Sequence, residues 1–258
     1  MNYLDLSGKT ALVLGIANRW SIAYAIAVLL QQHGARLAVT YQNERIGDEV
    51  RKLTGDWPGV LSLSCDLTDD TQINTLFEQI KSEFGQLNHL IHCIAFAERA
   101  DLQGEFRAVS RGGFHTAMDI SAYSLIAVAQ RAAPLMPAND SSILTLTYMA
   151  SERVVPNYNV MALAKAALEN SVRYLANDLG PQGTRVNAIS AGPVRTASAR
   201  AITGFTDMLK QHAEKTPLRR NISAEEVGKA ALYLCSDLAS GVTGTVHFVD
   251  AGFHILGV

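Results

Sequence analysis

Cysteine is scarce and scattered. Cys65, Cys93 and Cys235 are the three in 258 residues, an odd number with no close pair, which excludes a disulfide framework. Two of them end apolar runs, so buried free thiols are expected. A catalytic cysteine needs a histidine or a helix N-terminus beside it, and His92 adjoins Cys93 along one extended run, where successive side chains point to opposite faces. The seven histidines form no His-x-x-x-His pattern and no Cys/His cluster, so no metal is expected. Ser190-Ala191-Gly192 lacks the Gly-x-Ser-x-Gly frame of a nucleophile elbow. Long apolar runs are missing too: residues 22–30 form the longest near the N-terminus, short of the roughly 20 that span a bilayer. Met1-Asn2-Tyr3-Leu4-Asp5 has neither the basic nor the apolar region of a secretion signal. Nor is there an excess of one charge, since 22 basic against 24 acidic residues leave −2, which gives no general attraction to nucleic acid or anionic membrane. With no repeat and a 48% hydrophobic composition, a single soluble cytoplasmic domain over 1–258 is expected.

What is present is an alternation. Strand-like runs at 10–14, 36–41, 60–65, 89–95, 142–147, 185–190 and 245–249 are rich in Val, Ile, Leu or Thr and nearly devoid of charge, as strands covered on both faces are. Helix-like stretches lie between them at 22–33, 44–53, 70–84, 113–135, 159–179, 198–210 and 224–236. This order predicts an α/β fold: a single doubly wound, Rossmann-type domain whose seven-stranded parallel sheet carries helices on both faces. Ligands of such a sheet sit at the carboxyl ends of its strands, where Gly15, Tyr41-Gln42, Asp66-Leu67, Ile94-Ala95, Tyr148 and Ala191-Gly192-Pro193 fall.

The first strand ends at Gly15, and Ser21 is placed to cap the next helix, whose free amides and dipole suit a pyrophosphate. The full Gly-x-Gly-x-x-Gly is absent, so this element alone leaves nucleotide binding an even choice. Tyr158 and Lys165 carry more chemistry. A helix turns about 100° per residue, so side chains seven apart lie within about 20° of the same face and roughly 10 Å from each other. One bound molecule can meet both: the phenol donates to an oxygen gaining charge, and the ammonium holds cofactor hydroxyls and sharpens the phenol as a donor. A packed Tyr and a surface Lys are the ordinary alternative for any single pair. Helices 113–135 and 159–179 are apolar over more than one stripe, through Ile120, Tyr123, Leu125, Ile126 and Val128, which asks for a partner beyond the sheet.

Several motifs together resemble a known family. Tyr158 and Lys165 have six residues between them, Gly15 has five before Ser21-Ile22-Ala23, and these join Thr40-Tyr41-Gln42-Asn43, Cys65-Asp66, Asp119-Ile120-Ser121-Ala122-Tyr123-Ser124, Pro156-Asn157-Tyr158-Asn159-Val160-Met161, Arg185-Val186-Asn187-Ala188-Ile189-Ser190-Ala191-Gly192-Pro193 and Cys235-Ser236-Asp237. Over 6–254 the chain resembles the divergent short-chain dehydrogenase/reductases, most closely the NADH-dependent bacterial enoyl-(acyl-carrier-protein) reductases of fatty-acid synthesis.

The resemblance implies that Tyr158 hydrogen-bonds the thioester carbonyl of a trans-2-enoyl substrate, that Lys165 binds the nicotinamide ribose, and that Tyr148 flanks the substrate. It implies cofactor contacts at Gly15, Ser21, Ile22, Gln42, Asp66, Leu67, Ile94, Ala95, Val194, Arg195, Thr196, Ala197 and Ser198, and substrate contacts at Phe96, Ala97 and Met161. It also implies a substrate flap over about 195–216, an acyl carrier protein as the bearer of substrate, and a homotetramer built on the two long helices and residues 246–256. Whether Tyr158 supplies the final proton or only steadies the enolate stays open. The apolar residues of the flap equally suit packing on the sheet. Gln42 stands where an acidic residue reads the adenosine 2′-hydroxyl and a basic cluster accepts a 2′-phosphate, so NADH is expected in preference to NADPH, with Arg45 as the counter-indication. Two alternatives remain. A carbonyl or 3-oxoacyl reductase of this fold wants Ser thirteen before Tyr158 and Lys four after it, where Thr145 and Ala162 stand. A non-catalytic NAD(H)-sensing protein would keep the fold without turnover.

Overall fold

The computed structural model describes residues 2–196 and 204–257. Its seven strands are β1 (Thr10–Leu14), β2 (Arg36–Tyr41), β3 (Leu61–Ser64), β4 (His89–His92), β5 (Ser141–Thr147), β6 (Thr184–Ala191) and β7 (Val246–Val249). All pair in parallel, in the order β3-β2-β1-β4-β5-β6-β7. The order reverses between β1 and β4, and that crevice is where an open parallel sheet takes ligands.

Alternation along β1 shows how the strands feed two cores. Ala11 and Val13 point into one hydrophobic cluster, Leu12 and Leu14 into the other. Helices α1 (Ile22–Gln32), α2 (Glu44–Thr54) and α9 (Ala224–Cys235) cover the first face through Ile26, Leu30, Val50, Val227 and Ala231. The second is covered by α3 (Asp70–Phe84), α6 (Ser124–Ala132) and α7 (Asn159–Leu179) through Ile73, Phe77, Leu125, Leu168 and Val172. Shorter pieces complete the chain: α4 (Arg99–Leu102), α5 (Arg111–Met118) and α8 (Phe205–Lys215).

Three expectations are corrected. The helix expected over 113–135 is broken: a π-helical turn, Asp119–Tyr123, separates α5 from α6. The helix expected over 198–210 is found at Phe205–Lys215, and residues 198–203 of that expectation lie outside the described residues. Ser21 occupies the N-cap of α1 in extended backbone but makes no side-chain cap. Its hydroxyl donates to the Asn18 carbonyl at 2.6 Å, so it does not engage the first-turn amides.

Gly15 sits at the crossover in the left-handed region, φ +97°. A Cβ there would stand 2.3 Å from the Cys93 carbonyl oxygen, because β1 and β4 converge at their ends. Both backbone strain and the clash act on Gly15→Ala, so a loss of at least about 3 kcal/mol is expected. In a thermal melt this lowers Tm by roughly 6–12 °C; a melt within about 2 °C of the parent would contradict it.

Candidate active site

The chain leaves β5 at Thr147, and Tyr148 follows immediately in extended backbone. Nine residues on, Asn157 takes the left-handed conformation, φ 59°, at a turn that delivers Tyr158 to the N-cap of α7. Asn tolerates that region better than other non-glycine residues. The two tyrosine rings meet at 5.2 Å between centroids, tilted by 59°. Two turns into α7, Lys165 is buried and its Nζ donates to the Leu146 carbonyl at 2.8 Å. Tyr148, Tyr158 and Lys165 thus line one cavity of about 360 Å³, together with Ala95, Phe96, Ala97, Met161 and Val194.

The electrostatics follow from burial. Desolvation, then the neighbouring Tyr148, pushes the Tyr158 phenol well above the usual tyrosine range, so it stays a neutral donor through alkaline pH. Desolvation pushes Tyr148 up to about 12, with Asp250 adding to it. Lys165 moves the other way, down to about 8, because burial disfavours its charge more than Cys93 and Glu169 support it.

Each wall has a fixed support. Ser121, in the π-helical turn, accepts from the Phe96 amide and donates to the Phe96 carbonyl, both at 2.9 Å, and so holds the 95–97 loop. Extra turns of this kind often re-aim side chains at functional sites. On the opposite side α8 brings Phe205 and Met208 to the cavity, and the Tyr148 hydroxyl donates toward Met208 Sδ at 3.8 Å. Leu209 and His212 of α8 are buried instead, with His212 stacked on Phe253 at 4.4 Å. The flap expectation therefore divides: part of this helix faces the cavity and part packs.

Of the remaining expected contacts among the described residues, Ile22, Ala95, Val194 and Thr196 line the Tyr-Lys cavity and the others do not. Gly15 and Ile94 adjoin at the β1/β4 crossover, since a Cβ on Gly15 would come 3.1 Å from Ile94 Cδ1. Gln42, after β2, donates to Asp66 Oδ2 at 3.4 Å, after β3. Partial burial works against the Asp66 carboxylate, but hydrogen bonds from Thr68 and Gln42 hold it below the usual range. Leu67 packs against the second core. Arg195 is exposed and lines two further grooves beside α8. Ala197 and Ser198 lie outside the described residues. Leu102 and Leu146 also line the cavity without having been expected as contacts; ordinary apolar residues carry no sequence signal for such a role.

A parallel sheet of this order, with a phenol and a buried ammonium over its carboxyl ends, defines a Rossmann-type oxidoreductase. Comparison with known proteins narrows the class. Residues 15–254 match the family model described as enoyl-(acyl carrier protein) reductase. The Bacillus cereus NADH enoyl-(acyl-carrier-protein) reductase is 53% identical over 254 residues, 98% of this chain and 99% of its own. Its counterpart from Nostoc is 50% identical over 99% of this chain and all of its own. Among solved structures, the Bacillus cereus enzyme with NADP+ and an indole naphthyridinone superposes with a TM-score of 0.95 at 52% identity, covering 98% of this chain and 99% of that one. The Anaplasma phagocytophilum enzyme in complex with NAD gives 0.94 at 44% identity, covering 98% and 96%. The chain belongs to the enoyl-(acyl carrier protein) reductase family.

Proposed function

We propose that the chain reduces the 2,3-double bond of trans-2-enoyl thioesters on acyl carrier protein with NADH, in fatty-acid elongation. The observation that carries this reading is the convergence of Tyr148, Tyr158 and Lys165 on one cavity, in a chain alike over its whole length to enzymes of that name. Thr145, where a carbonyl reductase of this fold needs its serine, is buried against His92 at 2.9 Å, which disfavours that alternative.

The residues present fit a dinucleotide. The close approach at Gly15 leaves backbone without a side chain at the crevice, and the α1 N-terminus has no serine cap, which leaves its dipole end for a pyrophosphate. Gly15, Ser21 and Ile22 would hold the phosphates and ribose, Asp66 and Leu67 the adenine, Ile94, Ala95 and Lys165 the nicotinamide ribose, and Val194, Arg195 and Thr196 the far side. Gln42 beside the Asp66 carboxylate offers acceptors to ribose hydroxyls and no cation to a 2′-phosphate, which favours NADH over NADPH. When bound, the dinucleotide supplies a hydride for the third carbon of the acyl chain.

The chain's own part is electrostatic. Negative charge moves to the thioester oxygen as hydride reaches the third carbon, and Tyr158, a neutral donor packed against Tyr148, would hydrogen-bond that oxygen until the second carbon is protonated. Phe96, Ala97 and Met161, with Phe205 and Met208 of the 195–216 flap, offer an apolar path for the acyl chain. Phe114, Tyr123, Ile126, Leu163 and Tyr174 remain exposed on α5, the π turn, α6 and α7, and Ile255 near the C-terminus, which supports a homotetramer. Among the described residues no helix is long and apolar enough to cross a membrane, in keeping with a cytoplasmic enzyme.

The test is NADH oxidation followed at the nicotinamide absorbance with crotonyl thioester and, in parallel, acetoacetyl thioester. Loss with the first alone is expected. Loss with the second alone would install the carbonyl reductase, and loss with neither a sensor.

A further inference from the structure

Two charged side chains occupy the buried stripe of α7. Its buried positions, among them Val160, Met161, Ala164, Leu168, Val172 and Ala176, recur at helical spacing and are apolar except for Lys165 and Glu169. These two lie one turn apart and are 5% and 3% exposed. An apolar residue at 169 would fit that stripe with no charge to desolvate, so a carboxylate there is costly unless it is compensated. Both charged groups reach the same strand end. Lys165 Nζ donates to the Leu146 carbonyl at 2.8 Å, and Thr147 Oγ1 donates to Glu169 Oε1 at 2.6 Å. Leu146 and Thr147 are consecutive, and both line the cavity.

We propose that Glu169, held by Thr147, is a positioning residue that keeps the Lys165 ammonium charged and fixes its place against the end of β5. The inference rests on the reading that Lys165 holds the NADH ribose. The titratable groups around Lys165 are His92 and Cys93 at the end of β4, Tyr148 after β5, Tyr158 at the start of α7 and Glu169 on α7 itself, with Asp250 beyond Tyr148 and bonded to His254. Burial keeps His92 neutral, its value pushed down to about 3, and holds the Cys93 thiol up at about 12. The two phenols are raised as well. Cys93 and Glu169 both support the ammonium, but a thiol that is neutral near pH 8 supplies no charge there. Glu169, one turn along α7 from Lys165, is the carboxyl group whose charge supports the ammonium.

The experiment is NADH binding against pH, read by nicotinamide fluorescence, for the parent and Glu169→Gln. The amide keeps the shape and still accepts from Thr147 but carries no charge. In the parent, affinity is expected to fall as pH rises through about 8. In Glu169→Gln the fall is expected to move down by about half a pH unit or more, which is about twofold weaker binding at pH 8 and about threefold at pH 9, with affinity at pH 6 retained. A fall at the same pH in both proteins overturns the inference, because a merely structural role would not move it. Glu169→Asp draws the carboxylate back from the strand end, so it gives a smaller shift in the same direction. If the Gln variant does not fold, absence of that smaller shift overturns the inference instead. A parent that binds no NADH at any pH removes the underlying reading of Lys165, a separate failure.

Discussion

Replacing Tyr158 by Phe is expected to lower kcat for enoyl-thioester reduction by about 10²- to 10³-fold, the effect of removing one donor aimed at a developing oxyanion, roughly 3–4 kcal/mol. The ring that packs 5.2 Å from Tyr148 is kept, so NADH affinity and Tm should hold. Because burial raises the phenol, no loss of the parent's activity from Tyr158 ionisation is expected across the neutral range. Steady-state kinetics with saturating NADH separate the outcomes. A kcat within threefold of the parent would remove Tyr158 from the chemistry.

Lys165→Met is expected to abolish useful NADH binding while sparing the fold. Charge-assisted hydrogen bonds are worth about 1.5–3 kcal/mol each, so losing an ammonium that holds ribose hydroxyls should raise Kd by about 10²-fold or more. Stability responds with the opposite sign. The folded value of about 8 lies below the ordinary 10.5, so the folded protein holds this proton less tightly than the unfolded chain. The ammonium therefore costs stability below about pH 8, by roughly 3 kcal/mol, and the cost fades between about pH 8 and 10.5. Methionine removes that cost and forfeits the bond to Leu146, so Tm at pH 7 should stay level or rise. Calorimetry and a binding titration on the same sample check both halves. A drop of several degrees with unchanged NADH affinity would reverse the assignment.

The sequence was most legible where burial is two-sided. β1, β2, α3 and α7 fall on the residues expected from apolar runs and helical spacing. β4 stops at His92, three residues short of expectation, although the Cys93 amide still donates to Leu14. The broken helix was not legible, because the π turn inserts within residues 114–133, which contain no Gly or Pro to mark a break. Its cause lies in tertiary bonds, Ser121 to the Phe96 backbone and Ser124 to His92 at 2.9 Å. The excess apolar surface read there proves mixed: Leu125 and Val128 are buried, whereas Tyr123 and Ile126 are exposed.

The site divides in the same way. Tyr158 and Lys165 were visible through spacing and type, Tyr148 through its place at a strand end and the family resemblance, and the three meet at one cavity. Ser21 was misread, since its hydroxyl turns back to Asn18 while sequence gives only its cap position. Glu169 was missed, although the signal existed: with Lys165 it stands on a stripe that is otherwise apolar.

The most direct measurement is a crystal structure of the complex with NAD+ and an enoyl thioester. The expected result is Tyr158 Oη within about 2.7–3.1 Å of the thioester carbonyl oxygen, with Lys165 Nζ on the nicotinamide ribose. A thioester oxygen held by another donor, with the Tyr158 hydroxyl turned from it, would contradict the proposed chemistry.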